Sequence, residues 1–153
     1  MELMAVTVRL TAVAHPWFAD AVDLFDDYRQ HYGANPAPDA VAAWLRDQVV
    51  AERERIYLAG DESRAHGICS VVIVPAALSL RTAWLIRDVF VAEGMRRQGI
   101  ASGLLDQVAG EARAAGAHRL SLQTDTANER ALHLYAKCGF RAQGDVTLLD
   151  RVL

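Results

Sequence analysis

Met95-Arg96-Arg97-Gln98-Gly99-Ile100-Ala101 stands between two patterns of opposite period. Before it, Thr82 to Val91 is an apolar, β-branched and aromatic run that reads as a strand. After it, Ile100, Leu104, Leu105, Val108, Ala112 and Ala115 recur at helical spacing, and Gly116 is placed to end that helix. A helix entered through a short basic loop leaves its first backbone N–H groups without intrahelical acceptors. Those donors carry the positive end of the helix dipole, Gly99 and Ala101 let a ligand approach the main chain, and Arg96 and Arg97 add charge. The loop from Arg96 through Gln98 to the first turn, Ile100 to Ser102, therefore reads as an anion site that a pyrophosphate would fit. Taken alone, it reads equally well as an ordinary basic helix start. Gly94 and Gly99 have the first spacing of a Walker A loop, but Ile100-Ala101 stands where Lys and Ser/Thr are required, which disfavours a nucleotide triphosphatase. The Rossmann Gly-x-Gly-x-x-Gly pattern is also missing.

Outward from this loop, Val6 to Val13 alternates as an opening strand, and a helical stripe with Phe18, Val22, Phe25 and Tyr28 runs from Pro16 to about Gly33. A second helix is expected from Asp39, as N-cap, to about Arg53. Ile56 to Ala59 and His66 to Val74 read as a hairpin around Gly60-Asp61-Glu62-Ser63-Arg64. Beyond Gly116, Leu120 to Gln123 is a short strand, Glu129 to Cys138 a helix, and Phe140 to Val152 can supply two more strands. Strands alternating with amphipathic helices after a hairpin-rich start imply an α/β or α+β fold, with a mixed sheet flanked by helices.

Bulk properties fit one soluble domain over residues 1–153. The 52% hydrophobic and 23% charged fractions are those of a globular chain. Sixteen basic against nineteen acidic residues, net −3, argue against a general nucleic-acid binder. The most apolar stretch, Gly67 to Leu80, is too short to span a bilayer, and Met1-Glu2-Leu3-Met4 lacks the features of a secretory signal. Two cysteines, Cys69 and Cys138, at unrelated spacing give neither a disulfide framework nor a zinc site. His15, His66, His118 and His133 show no metal-ligand spacing, so no metal is assigned. A cytoplasmic location fits best.

A second motif is Asn128-Glu129-Arg130-Ala131-Leu132-His133-Leu134-Tyr135. Seven residues are nearly two helical turns, so Asn128 and Tyr135 share a face, with Ala131 between them. Thr126 and Glu129 form a Thr-x-x-Glu capping box that would set the helix start.

Together the two segments resemble the GCN5-related N-acetyltransferase (GNAT) superfamily. Its pyrophosphate loop, Arg/Gln-x-x-Gly-x-Gly/Ala, is matched by Arg96, Gly99 and Ala101. Its later helix, Asn-x-x-Ala-x-x-Leu-Tyr-x-x-x-Gly-Phe, is matched by Asn128, Ala131, Leu134, Tyr135, Gly139 and Phe140. The resemblance implies a mostly antiparallel sheet in which the strand Ile86 to Val91 splays from a parallel neighbour, Leu120 to Gln123. Acetyl-CoA would be the acyl donor, with main-chain groups near Phe90 and Val91 holding its pantetheine arm. The diphosphate would lie on Arg96, Arg97, Gln98, Gly99, Ile100, Ala101 and Ser102, and Asn128 would bind an amide.

Acetyl transfer to an amine needs a base for the amine proton, a polarised carbonyl and an acid for the departing thiolate. Tyr135 fits the last task, a phenol near pKa 10 beside a thiol near 8.5. Asp88 is the first candidate base, although Arg87 stands where related enzymes often carry Glu; His31 and Glu93 are alternatives. Tyr28, His31 and Tyr32, with Trp84, are candidate walls of an acceptor pocket, assisted by the acidic first helix. The expected activity is acetylation of a small-molecule primary amine by direct attack in a ternary complex. A non-catalytic acyl-CoA sensor and a protein N-terminal or lysine acetyltransferase are the rival readings. A strand edge or the tail could support a homodimer.

Overall fold

In the computed structural model, which describes residues 5–153, Val6–Leu10 forms strand β1 and pairs antiparallel with β2, Arg55–Gly60. Residues 1–4, including the expected absence of a signal, lie outside the described residues. Two helices intervene, α1 (Phe18–His31) and α2 (Pro38–Val50). Pro38 rather than Asp39 opens α2, with Ala37 as N-cap, because proline's fixed φ suits the first helical position. The hairpin partner of β2 is β3, Ala65–Ala76. Asp61 organises its turn: the Asp61 carboxylate accepts from the Ser63 N–H at 2.8 Å and the Arg64 N–H at 3.3 Å.

Strand β4, Arg81–Val91, pairs antiparallel with β3; a 3-10 turn, Glu93–Met95, leads to α3, Ile100–Ala114. Strand β5, Arg119–Leu122, returns parallel to β4, giving one five-stranded sheet in the order β1-β2-β3-β4-β5. This is the mixed, mostly antiparallel sheet expected.

The sheet has two faces with different companions. Leu10, Ile56, Leu58, Ile68 and Phe90 pack with Ala21, Val22, Leu24 and Phe25 of α1 and Val41, Leu45 and Val49 of α2. On the other face, Tyr57 reaches Glu111 of α3, and a Cβ on Gly67 would sit 2.7 Å from Ile100 Cγ2. Glycine at 67 is therefore what lets the first turn of α3 settle against β3.

The chain clusters into two compact units, one ending at Gln123 and one spanning Thr124–Leu153. In the second, α4 (Glu129–Lys137) is the regular element. The two strands expected between Phe140 and Val152 do not form. Val146, Leu148, Leu149 and Val152 are exposed, and the Leu148-Leu149 pair breaks the alternation a one-sided strand needs. A lone hairpin is marginal without a further strand or helix to cover it. No helix among the described residues is long and apolar enough to cross a membrane.

Candidate active site

Alternation along β4 is interrupted once. Trp84 stands opposite Ile73 and Ile86 opposite Val71, but Asp88, not Arg87, stands opposite Ser70. Arg87 is thus the extra residue of a β-bulge, which re-aims the side chains beyond it. Before the bulge, Trp84 and Ile86 lie on the α3 face, where Arg55 stacks over the Trp84 ring at 4.8 Å and approaches Glu111 of α3. After it, Asp88 and Phe90 turn to the α1/α2 face: the Ser70 hydroxyl donates to Asp88 at 2.5 Å, and the Phe90 ring lies 5.8 Å from Tyr28 of α1. Trp84 is consequently buried on the far side of the sheet and is not a pocket wall, contrary to expectation.

The same bulge closes the parallel ladder. Strands β4 and β5 pair from Ala83↔Arg119 to Ile86↔Leu122 and no further. From Arg87 to Val91 the β4 edge on that side is paired to no strand among the described residues, so its main-chain groups can receive an extended ligand in the manner of strand addition. This is the splayed pair the sequence motif implied.

The open edge runs into the basic loop. Arg97 has φ +64° and Gly99, the N-cap of α3, has φ +78°. Left-handed residues interleaved in a turn gather successive N–H groups into an anion-binding concavity. The first intrahelical bond there is Gly103 N–H to the Gly99 carbonyl at 2.9 Å, so the N–H groups of Ile100, Ala101 and Ser102 have no helical acceptor. A Cβ at Gly99 would meet nothing within 4 Å, which leaves room for a diphosphate to approach the main chain. These residues fit the phosphate end of a coenzyme A thioester. Arg96 does something else: its Nε donates to the Val91 carbonyl at 3.1 Å, and its guanidinium lies 5.6 Å from the Phe90 ring. It ties the end of β4 to the loop, while Arg97 is exposed.

A cavity of about 370 Å³ opens between α1, α2 and β4, with Phe25, Tyr28, Trp44 and Asp88 in its lining. Phe25 and Trp44 meet edge to face at 5.6 Å. Tyr28, His31 and Tyr32 gather near the end of β4: Tyr28 and Tyr32 rings are 5.2 Å apart, and His31 is 6.2 Å from Phe90. Tyr28 is shared by both groups, whereas Tyr32 is largely exposed. Glu93 lies exposed in the 3-10 turn.

Three acidic residues of α1, Asp20, Asp23 and Asp26, are engaged elsewhere. Asp20 accepts from the Ala65 N–H at 3.0 Å and pairs with Arg64 at 3.5 Å, which Asp23 also approaches at 3.9 Å. Asp26, buried, accepts from Arg29 and from the Ala37 N–H, both at 3.0 Å, and fixes the α1–α2 connection. None of these carboxylates lines the cavity, so they do not form its wall as expected.

Glu54, just before β2, is the residue that sequence reasoning missed. Burial first, and the Asp88 charge second, push its carboxyl above the usual carboxylate range. Its Oε2 is buried without a hydrogen-bond partner. No spacing rule links position 54 to 88; only the β2-β3-β4 order brings the two carboxyls to one region. The buried thiol of Cys69 is pushed up to about 12, so it is no nucleophile.

In the second unit, Asn128 is the N-cap of α4, its side-chain oxygen accepting from the Ala131 N–H at 3.2 Å. The expected Thr126–Glu129 box does not start the helix; Asp125 shapes the turn instead, its carboxylate accepting from the Ala127 N–H at 2.9 Å. The Tyr135 ring meets Phe140 edge to face at 6.0 Å.

Known proteins share this arrangement. The model of the acetyltransferase (GNAT) family matches residues 18–140. An uncharacterized N-acetyltransferase, YhfO, of Bacillus subtilis (strain 168) is 26% identical over 117 residues, covering 76% of this chain and 78% of its own. A crystal structure of a probable acetyltransferase superposes with TM-score 0.87 at 30% identity, covering 97% of each chain. The aminoglycoside acetyltransferase meta-AAC0020, from an uncultured soil metagenomic sample, shares the fold with TM-score 0.80 at 19% identity, covering 97% of this chain and 96% of its own.

Proposed function

Because the chain belongs to the GNAT acetyltransferase family, we propose that it moves an acetyl group from acetyl-CoA to the primary amine of a small molecule, by direct attack in a ternary complex. The observation that carries this reading is the β4 edge, unpaired beyond Ile86 and continuous with the left-handed loop at the start of α3. A thioester arm has an extended main chain to lie along and its diphosphate has helix N–H groups to meet.

Acetyl-CoA supplies an activated acyl group; the chain supplies position and proton traffic. Ile100, Ala101, Ser102, Gly99, Gln98 and Arg97 bind the diphosphate far from the reacting carbon, which gives binding energy for orientation. Main-chain groups of Phe90 and Val91 hold the pantetheine arm, an N–H near Val91 polarises the carbonyl, and Asn128 bonds an amide of the arm. Asp88 accepts the proton that the amine loses as its nitrogen bonds to the acyl carbon. Tyr135 gives a proton to the sulfur as the carbon–sulfur bond breaks, a role supported by its phenol chemistry and its place in the Asn128–Phe140 motif. Tyr28, His31 and Tyr32 flank the acceptor beside Phe90. No enzyme nucleophile is required, in keeping with the raised thiol of Cys69.

A small-molecule acceptor is supported by the ring-lined cavity at Asp88 and by the aminoglycoside acetyltransferases among the fold's neighbours. The cytoplasm, where acetyl-CoA and free thiols coexist, is the compartment that suits it. Titration calorimetry with acetyl-CoA, followed by thiol release over a panel of amines, tests the reading. Binding with amine-dependent thiol release supports it; binding with no transfer to any amine would leave a sensor, and no binding at all would sink both.

A further inference from the structure

The cavity at Asp88 has a composition that selects among amines. Its walls are Phe25, Tyr28, Ala40, Val41 and Trp44, with Asp88 as its carboxylate. Arg29 also borders it, but its Nη1 is bonded to Asp26 at 3.0 Å and to the Asn35 carbonyl at 3.2 Å, so this cation is already matched. Trp44 remains 42% exposed although it edges the cavity.

Resting on the transferase reading above, we infer that the acceptor is a monoamine with an aromatic or compact apolar body and no carboxylate, its ring held by Phe25, Tyr28 and Trp44 and its nitrogen at Asp88. An ammonium group entering the cavity meets Asp88 as the carboxylate that accepts from it. The ring walls are suited to the flat body of such an amine and attract its cationic end. Polyhydroxylated aminoglycosides fit poorly, since each hydroxyl turned to these walls would lose its water without gaining a partner. Polyamines need further anions along their length, and Asp88 is the one carboxylate lining the cavity among the described residues, while Asp20 and Asp26 of α1 are bound to Arg64, Arg29 and the backbone. An amino acid would need a free cation for its carboxylate. The volume, about 370 Å³, lies at the small end of ligand sites and suits one ring with a short arm.

The test is thiol release by the full chain with 2-phenylethylamine, phenylalanine, spermidine and kanamycin, alongside calorimetry of acetyl-CoA and of 2-phenylethylamine separately. The expected result is a kcat/KM for 2-phenylethylamine at least tenfold above the other three. Trp44→Ala should raise its KM about tenfold with the acetyl-CoA Kd unchanged. Ala40→Phe, at an exposed position that tolerates change, should narrow the cavity and exclude the ring amine while propylamine is still acetylated. Preference for spermidine, phenylalanine or kanamycin, or an unchanged KM in both variants, overturns the inference and leaves the transferase reading standing. Amine binding abolished by Ala40→Phe, with acetyl-CoA failing to bind, overturns the transferase reading and leaves the amine site.

Discussion

Ser70 and Asp88 face each other across β3 and β4, joined side chain to side chain, only because Arg87 is bulged out of the ladder between them. Restoring strict alternation would send the residue-88 side chain to the α3 face and Val89 to the cavity. The carboxylate is thus placed by backbone geometry and held by a hydroxyl.

Asp88→Asn keeps the shape and removes the base. Turnover should fall about 100-fold at neutral pH, within the usual range for a positioned proton acceptor. Ser70→Ala should reduce it less, since it loosens the carboxylate without removing it. Steady-state kinetics at saturating acetyl-CoA measures both. Turnover in Asp88→Asn equal to the parent would transfer the role to His31 or solvent.

Gly67→Ala tests how β3 seats the helix that opens the anion site. The new methyl would stand 2.7 Å from Ile100 Cγ2 and 3.2 Å from Leu104 Cδ1. Overpacking of this kind destabilises by about 1–3 kcal/mol. Because Ile100 is the first residue of α3, acetyl-CoA affinity should fall with the melting temperature. Adding Ile100→Ala, which removes Cγ2 from the crowded spot, should relieve the clash, so that the two changes together cost less than the sum of their separate effects. Calorimetry and thermal melts on the single and double variants decide this.

Glu54→Gln separates charge from shape at the buried carboxyl just before β2. The Glu54 carboxyl is raised in the folded chain, so its ionisation opposes folding as pH climbs through and above its ordinary value near 4.5. Below that value both folded and unfolded chains hold the proton and the effect vanishes. The variant should therefore melt higher than the parent at pH 7.5, by roughly 1–2 °C for a domain of this size, and equally at pH 4. A gain that persists at pH 4 would mean that packing, not charge, is responsible.

The fold was legible where period and punctuation agreed. Ile100, Leu104, Leu105 and Val108 repeat on one face, Gly99 and Gly116 are both left-handed, and α3 ends within a residue or two of its expected bounds. The bulge was not legible. Thr82 to Val91 is one unbroken strand-like run, and nothing in it marks Arg87 as the residue the ladder omits. That gap explains the error at Trp84, assigned to the pocket when strict alternation is ambiguous about face. Glu54 was invisible for a related reason: its neighbour Asp88 is two strands away, and its missing hydrogen bond exists only after folding. The tail misled because Val146 to Val152 has strand-forming residues without a partner edge of its own.

Two tyrosines should behave in opposite ways. The Tyr57 hydroxyl donates to Glu111 of α3 beneath the sheet, and burial, with Glu111, pushes its pKa up to about 12. Tyr57→Phe removes a hydrogen bond to a charged group and should destabilise by about 1–2 kcal/mol, with turnover per folded molecule unchanged. Tyr135→Phe removes the proton proposed for the departing sulfur. Turnover should drop about 10- to 100-fold while the acetyl-CoA Kd stays within about twofold, since the acid acts as the bond breaks rather than in the bound state. Donors with a more acidic thiol need less protonation on leaving, so the defect should shrink with them. A Tyr135→Phe defect of the same size for every donor, or one confined to acetyl-CoA affinity, would remove the phenol from the proton path and make it a binding residue.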